Sequence, residues 1–283
     1  MSLKIGLQLY SIRNAMQADP LKAIADVAKI GYKNLELANL NAETDFGCGF
    51  GVPAAELKKI AADFGCNVFS AHIDPLTDKN LQPVLDYHAE LGTKYLMSKP
   101  FSETKDGALR DCEMYNRIGE QCSKYGIQHC LHTGLAPYLD DGSWLLDVLF
   151  GNTETSYLKF EVDTYWMMRS GFTPVDVIKK FADRVIAVHQ KDLPKTFGNE
   201  VNINKFLGRG KQLTHKNFFE FVNEEDFCEI GTGKMDIQEI IDTANTYTGA
   251  DYIILEQDFT RYSEMESVKI SLNNLKAYRG VVY

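Results

Sequence analysis

The sequence predicts an α/β protein built as a single (β/α)8 barrel, in which eight parallel strands alternate with helices. Eight short runs of β-branched or apolar residues are separated by longer stretches with helical spacing. Successive runs begin 27 to 33 residues apart, except for one gap of 67 residues. The length of 283 residues is close to the roughly 250 residues of such a barrel. We therefore expect one domain over residues 1–283, with a long loop after strand seven.

The eight predicted strands are apolar runs of four to seven residues, each followed by a polar segment. The first begins close to the start of the chain and the last lies near its end. They cover residues 4–10, 34–37, 67–72, 95–98, 127–132, 158–163, 185–189 and 252–257.

The helices between the strands carry clear start and stop signals. The first begins at Asp19-Pro20 and ends at Gly31, and the second runs from Pro53 to Phe64-Gly65. Gly92 and Gly126 repeat the same ending, since glycine favours the left-handed position that follows a helix. The repeating unit is a helix, a glycine, a strand and a polar loop.

The remaining long segment, residues 193–230, is predicted to form an extended loop with one or two short helices at the mouth of the barrel. The turn after strand one reads YSIR at 10–13 and contains neither a GxGxxG nor a GxxxxGK[ST] pattern. Dinucleotide-binding and P-loop folds are therefore excluded.

The net charge and the hydrophobic pattern argue against several classes of binding partner. The net charge of −9 and a chain without Lys/Arg runs argue against nucleic acid as a partner. No signal-like N-terminus and no apolar run of about 18 residues is present, so we expect a cytoplasmic protein that does not bind a membrane.

The six cysteines form no CxxC pair and are expected to be reduced. A small molecule is the expected partner, and a homo-oligomer is possible.

Polar residues cluster where the strands end, which is where barrels of this kind build active sites. Strands five to eight end in His132, Asp163, His189 and Glu256. Imidazole and carboxylate groups are good ligands for a divalent ion, so these four residues predict a metal site. The alternative is purely structural, because Asp163 could instead cap residues 164–166 and Asp192 could cap the segment before Pro194.

Segments that span nearly the whole chain resemble the sugar phosphate isomerase/epimerase superfamily with the xylose isomerase-like barrel. That superfamily also includes inosose dehydratases, ketose 3-epimerases and endonuclease IV. The matching segments are GLQLYSIR, IGYKNLEL, SAHID, LGTKYLM, EVDTYW, VHQKDLP, IGTGKMDIQEII and ILEQD.

The resemblance implies that Asp163, His189 and Glu256 hold a divalent ion, which could be Mn, Mg, Co, Zn or Fe. The usual strand-five ligand is a Glu or part of a His-x-His motif; here the segment is Leu131-His132-Thr133, which makes His132 the best substitute. His129 would point to the same face only if the strand register slipped.

Other residues matching family positions are predicted to contact substrate. Glu256, His72 and Lys191 are the predicted catalytic residues, although Lys191 could equally form a salt bridge. The predicted substrate-binding residues are Gln8, Glu36, Trp166 and Asp192. Trp166 takes a position where relatives often carry His, and its ring either walls the pocket or belongs to the core. Gly231 and Gly233 are predicted to be backbone requirements.

The predicted function is a divalent-metal-dependent isomerase or epimerase that removes a proton next to the carbonyl of a sugar, sugar phosphate or keto-cyclitol. One alternative is a dehydratase of the inosose dehydratase type, and another is an inactive barrel that binds a sugar. Cleavage of damaged DNA is disfavoured, because only six histidines and a negative net charge are present.

Overall fold

The computed structural model describes residues 2–100, 102–214 and 216–283. Eight parallel strands form a closed (β/α)8 barrel, because β1 pairs with both β2 and β8 and each intervening strand pairs with its neighbours in chain order. The predicted fold class is confirmed. The strands are β1 (Leu3–Gln8), β2 (Asn34–Asn39), β3 (Asn67–Ile73), β4 (Tyr95–Ser98), β5 (Gln128–His132), β6 (Lys159–Asp163), β7 (Val185–Gln190) and β8 (Tyr252–Leu255).

A ninth strand, β9 (Val281–Val282), pairs with the first two residues of β1 and was not predicted. Three predicted strand ends are wrong by two residues. Strand one stops at Gln8, since residues 9–12 form a 3-10 helix that contains Tyr10. Strand two continues to Asn39, which places Glu36 in mid-strand. Strand eight stops at Leu255, so Glu256 follows it directly.

Twelve helices surround the barrel in the described part of the chain. Helix α2 begins behind an Asp19 cap and ends at Gly31, and α3 follows Pro53, as the sequence predicts. The helices are α1 (Arg13–Ala18), α2 (Pro20–Ile30), α3 (Ala54–Asp63), α4 (Leu81–Leu91), α5 (Lys105–Lys124), α6 (Leu145–Gly151), α7 (Thr164–Arg169), α8 (Pro174–Lys180), α9 (Asn204–Leu207), α10 (Phe218–Phe221), α11 (Ile237–Tyr247) and α12 (Glu264–Leu275). No helix in these described ranges is long and apolar enough to cross a membrane.

The long loop after β7 carries the two short helices α9 and α10 and a 3-10 turn at Glu224–Asp226. This confirms the predicted arrangement of residues 193–230. After this loop, backbone amides within residues 230–236 donate hydrogen bonds to the carboxylate of Asp192, which lies two residues beyond the end of β7.

The protein has two apolar cores. The larger one fills the space between strands and helices. A smaller one contains Phe69, Ala187, Tyr252 and Ile254, with Phe69 stacked on Tyr252 at 3.8 Å between ring centroids. Tyr252 and Ile254 alternate along β8 with core residues of the larger cluster, so they point into the barrel. The inside of the barrel is therefore closed by an apolar layer.

Two buried histidines outside the barrel interior predict how stability depends on pH. Burial lowers the pKa of His88 to about 3 and that of His129 to about 4. An unfolded histidine titrates near about 6.5, so the unfolded state binds more protons below that pH. The stability that the neutral rings confer is present above pH about 6.5 and is lost as the pH falls toward the folded-state values.

We expect the free energy of unfolding to fall by up to about 1.4 kcal/mol per pH unit for each histidine between about pH 6 and 4. Urea denaturation at a series of pH values measures this slope. In the His88→Gln variant this slope should be smaller by the contribution of one histidine. An unchanged slope would contradict the lowered pKa of His88.

Candidate metal and catalytic site

The candidate site lies inside the barrel, at the carboxyl ends of the strands and above the small apolar core. Side chains alternate between the two faces of a strand, so Glu161 and Asp163 of β6 point to one side, as do His189 and Lys191. Phe160 and Val162, which alternate with the β6 carboxylates, belong to the core between strands and helices. The inward-facing residues are Glu36, His72, His132, Glu161, Asp163, His189, Lys191 and Glu256.

Among residues 2–100, 102–214 and 216–283, two overlapping sets of side chains could hold a metal ion. The outer group is His132, Asp163, His189 and Glu256, the four ligands predicted from the sequence. The inner group is His72, His132, Glu161 and His189. Within each group, the candidate ligand atoms lie within 4.8 Å of one another, and every residue is buried.

His189 is the centre of this cluster. Its Nδ1 atom lies 3.0 Å from Glu256 Oε2, and its Nε2 atom lies 2.7 Å from Glu36 Oε1 and 3.3 Å from Glu161 Oε2. The ring is fully buried. Burial alone would lower its pKa, but the attraction of Glu161 and Glu36 outweighs this and raises the pKa well above its usual value.

His72 faces the same carboxylates from β3. Its Nε2 atom lies 2.8 Å from Glu161 Oε2 and 3.1 Å from Glu36 Oε1. Glu36 is fixed in turn by the Ser70 hydroxyl, which donates to Oε2 over 2.6 Å. Burial opposes protonation of His72, but Glu36 and Glu161 prevail and raise its pKa to about 9.

His132 differs from the other two histidines because neither ring nitrogen has a hydrogen-bond partner among the described residues. The ring is buried, and Nε2 lies 3.6 Å from Asp163 Oδ2. Burial, reinforced by repulsion from His72, lowers the pKa of His132 to about 3, so the ring is neutral at physiological pH. A buried imidazole with free nitrogens normally costs stability, and it is the form of histidine that binds metals.

Lys191 lies among the carboxylates of the outer group. Its ammonium contacts Glu256 Oε2 and lies 2.8 Å from Asp163 Oδ2 and 3.9 Å from Asp258 Oδ1. Burial works against ionised carboxylates, but this ammonium keeps the pKa of Glu256 well below its usual range. The salt-bridge alternative for Lys191 is therefore what the structure shows.

Two carboxyl groups in the cluster behave in the opposite way. Burial raises the pKa of Asp258 to about 7 despite the attraction of Lys191. Burial, with repulsion from Glu36, also raises the pKa of Glu161 to about 7. Carboxyl groups that titrate near neutral pH are suited to proton transfer.

Three predicted substrate-binding residues take other positions. Gln8 caps the 3-10 helix that follows β1, through its side-chain oxygen. Both Asp192 oxygens accept backbone N–H groups, from Leu193, Gly231, Gly233 and Met235. Trp166 is buried and packs near Phe218 and Phe227 of the long loop, with ring centroids 6.1 and 6.4 Å away.

The glycines that meet Asp192 are required by the backbone, as the sequence predicts. Gly231 has φ of +82°, and a Cβ at Gly233 would lie 2.2 Å from Asp192 Oδ1. Asp163 takes the alternative role of a cap, because Oδ1 accepts from the Trp166 amide at the start of α7, while Oδ2 faces Lys191. His129 points away from the site and contacts Ser98.

The sequence reasoning missed Glu161 because it considered only residues at strand ends. The signal was nevertheless present, since Glu161 precedes Asp163 by two residues and must share its face. Asp258, two residues after Glu256, is likewise absent from the predicted site residues.

The donor set suits a divalent ion. Of the five buried carboxyl groups in the cluster, those of Asp163, Glu256 and Asp258 face the Lys191 ammonium. The other two, on Glu36 and Glu161, face the rings of His72 and His189. Buried carboxylates are unfavourable without cations beside them, and the free nitrogens of His132 provide neutral ligands in the same cluster. The cluster could therefore bind a metal ion, through mixed nitrogen and oxygen ligands that several metals accept.

The chain shares its fold with solved TIM barrels. It superposes on a sugar phosphate isomerase/epimerase from Parabacteroides distasonis with a TM-score of 0.75 and 24% identity, covering 100% of this chain and 96% of that one. It also superposes on the IolI protein with a bound zinc atom, with a TM-score of 0.68 and 11% identity, covering 96% of this chain and 97% of that one. The resemblance seen in the sequence is confirmed.

The chain is also similar to several curated inosose dehydratases. The chain is 26% identical over 169 residues to the inosose dehydratase of Lactiplantibacillus plantarum, which covers 59% of this chain and 53% of that protein. It likewise spans about half the length of two further inosose dehydratases. No family model matches the chain.

Proposed function

We propose that the chain is a divalent-metal-dependent isomerase or epimerase that acts on a sugar, a sugar phosphate or a keto-cyclitol. The observation that carries this proposal is the buried cluster around His132, whose free ring nitrogens lie among carboxylates at the carboxyl end of the barrel. His132 and His189 belong to both groups and are the ligands common to either arrangement.

A divalent ion held by these residues would neutralise the negative charge that develops when a proton next to a carbonyl is removed. The chain's own residues supply the remaining parts. Glu256 is ionised beside Lys191, and Asp258 has a pKa of about 7, so we propose that this pair moves the proton at the barrel mouth.

His72 and Lys191 are the hydrogen-bond donors of the proposed mechanism. Without a bound ion both carry positive charge at neutral pH, because the carboxylates beside them outweigh the effect of burial on their pKa values. We propose that Lys191, and His72 when it is not itself a metal ligand, donate to substrate hydroxyl groups or to a developing negative oxygen. The buried surroundings strengthen these contacts by excluding water.

Elimination is the second candidate reaction, and the inosose dehydratase relatives favour it. The first step is the same, because dehydration also begins by removing a proton next to a carbonyl. The outcome depends on whether the proton returns to carbon or the neighbouring hydroxide leaves.

A substrate panel tests this function. We expect at least one ketose, sugar phosphate or inosose to be converted by protein loaded with Mn²⁺, Mg²⁺, Co²⁺, Zn²⁺ or Fe²⁺. A chelator should stop the reaction and added metal should restore it. Proton NMR of the product separates epimer, isomer and dehydrated product, and no turnover with any metal would contradict the proposal.

A further inference from the structure

The outer and inner groups compete for the same two histidines. His132 and His189 belong to both, whereas Asp163 and Glu256 complete one group and His72 and Glu161 complete the other. The two groups differ in the positively charged side chains that lie beside their carboxylates. The position of a metal ion can therefore be inferred from which carboxylates already have a permanent cation beside them.

The carboxylates of the outer group already have a cation. The Lys191 ammonium lies 2.8 Å from Asp163 and contacts Glu256, and only 1% of the Lys191 side chain is exposed. Asp163 also uses its second oxygen to cap α7. A divalent ion at these carboxylates would have to displace a fully buried ammonium or share its ligands, and like charges at such short range repel strongly.

The inner group has no lysine or arginine among its ion-pair partners in the described part of the chain. Its carboxylate faces the His72 and His189 rings instead, and a histidine gives up its proton when it binds a metal ion, whereas the Lys191 ammonium keeps its charge. Glu161 is fully buried, and its Oε1 atom has no hydrogen-bond partner among those residues. Its Oε2 atom lies 2.8 Å from His72 Nε2 and 3.3 Å from His189 Nε2. Ligands 2.0–2.1 Å from a tetrahedral Zn²⁺ lie about 3.4 Å apart, so these atoms need to move little to surround an ion.

The free nitrogens of His132 provide an independent observation. The His132 ring centroid lies 4.5 Å from that of His72 and 4.7 Å from that of His189. Three imidazoles from β3, β5 and β7 thus face one carboxylate from β6. Three histidines, or histidines with one carboxylate, are ligand sets of catalytic zinc sites.

We propose that the inner group, His72, His132, Glu161 and His189, holds the divalent cation, and that Lys191 permanently neutralises the carboxylates of the outer group. Glu36 completes the arrangement as a positioning residue, because its Oε1 atom faces the ligating nitrogens of both His72 and His189. The inference rests on the proposed function only in assuming that the cluster binds a metal.

Glu161 and Glu256 form a matched pair for the test. Both are buried, both contact His189, and each can be changed to glutamine, which has nearly the same size. Titration calorimetry of metal-free protein with Zn²⁺ alone measures affinity. The visible absorption of bound Co²⁺ reports the ligand set without any assay of activity.

We expect Glu161→Gln to weaken Zn²⁺ binding by more than about 100-fold, the upper range for loss of an outer-shell partner. Glu256→Gln should change it by less than about 10-fold and leave the Co²⁺ spectrum unaltered. If Glu161→Gln does not fold, His72→Gln provides the second variant, since His72 belongs only to the inner group, and it should also weaken binding and alter the spectrum.

If Glu256→Gln weakened Zn²⁺ binding more than Glu161→Gln did, or if both variants lost the same affinity, the metal would not lie in the inner group. Metal dependence itself would still stand. Failure of the unmodified protein to bind Zn²⁺ or Co²⁺ would overturn both this inference and the metal dependence of the proposed function. The two failures are therefore distinguishable.

Discussion

Replacing His189 with alanine is expected to abolish stoichiometric metal binding and to lower kcat/KM by at least about 10³-fold, the equivalent of the several kcal/mol that a metal contributes to charge stabilisation. The reason is geometric. His189 contacts Glu36, Glu161 and Glu256 at once and belongs to both candidate ligand groups. Metal analysis after gel filtration, together with turnover of the substrate identified in the panel, measures both effects.

His129→Ala is the matched control for this change. His129 is as deeply buried as His189 and also lies on a barrel strand, but it faces the helices and contacts Ser98 and Tyr115. This variant should lose stability while keeping its metal content. If His189→Ala still bound metal at full stoichiometry, the cluster around His189 would not be the metal site.

Replacing Lys191 with methionine should lower the free energy of unfolding by about 3–5 kcal/mol, the usual cost of breaking a buried ion pair. The change leaves Asp163, Glu256 and Asp258 without the ammonium that neutralises them. Without it their pKa values rise above those of the unfolded chain, so the variant should lose stability as the pH rises. Urea denaturation at pH 5 and pH 8 should show the larger deficit at pH 8.

Lys105→Met provides the comparison. Lys105 lies 2.8 Å from Asp141, but both side chains are at least one-third exposed. Removing such a surface pair should change the free energy of unfolding very little. A Lys191→Met variant that is no less stable than Lys105→Met, or one with a deficit that does not grow with pH, would contradict the role given to Lys191.

Much of the fold could be predicted because its signals are local. Asp19, Pro20 and Gly31 mark the ends of α2 through capping and backbone preferences that act within a few residues. Strand ends were less certain, because Tyr10 continues an apolar run although the chain turns at Gln8. The ninth strand has only two residues, too few for a periodic pattern.

The site was predictable only in part, because its chemistry depends on contacts between distant residues. Strand position brought His132, Asp163, His189 and Glu256 together as predicted. By contrast, the direction in which Lys191 extends decides which carboxylates are neutralised, and no local pattern encodes it. Asp192 is itself a predicted substrate-binding residue, yet its carboxylate accepts amides some 40 positions later in the chain.

Solvent hydrogen exchange tests the central claim most directly. The account predicts that metal-loaded protein in D₂O incorporates deuterium at the carbon next to the substrate carbonyl, that a chelator stops the incorporation, and that Glu256→Gln slows it strongly. Proton NMR follows the exchange whether or not product accumulates. The claim of metal-dependent proton removal would be contradicted if substrate were converted without deuterium entering that carbon. It would also be contradicted if deuterium entered at the same rate with and without metal.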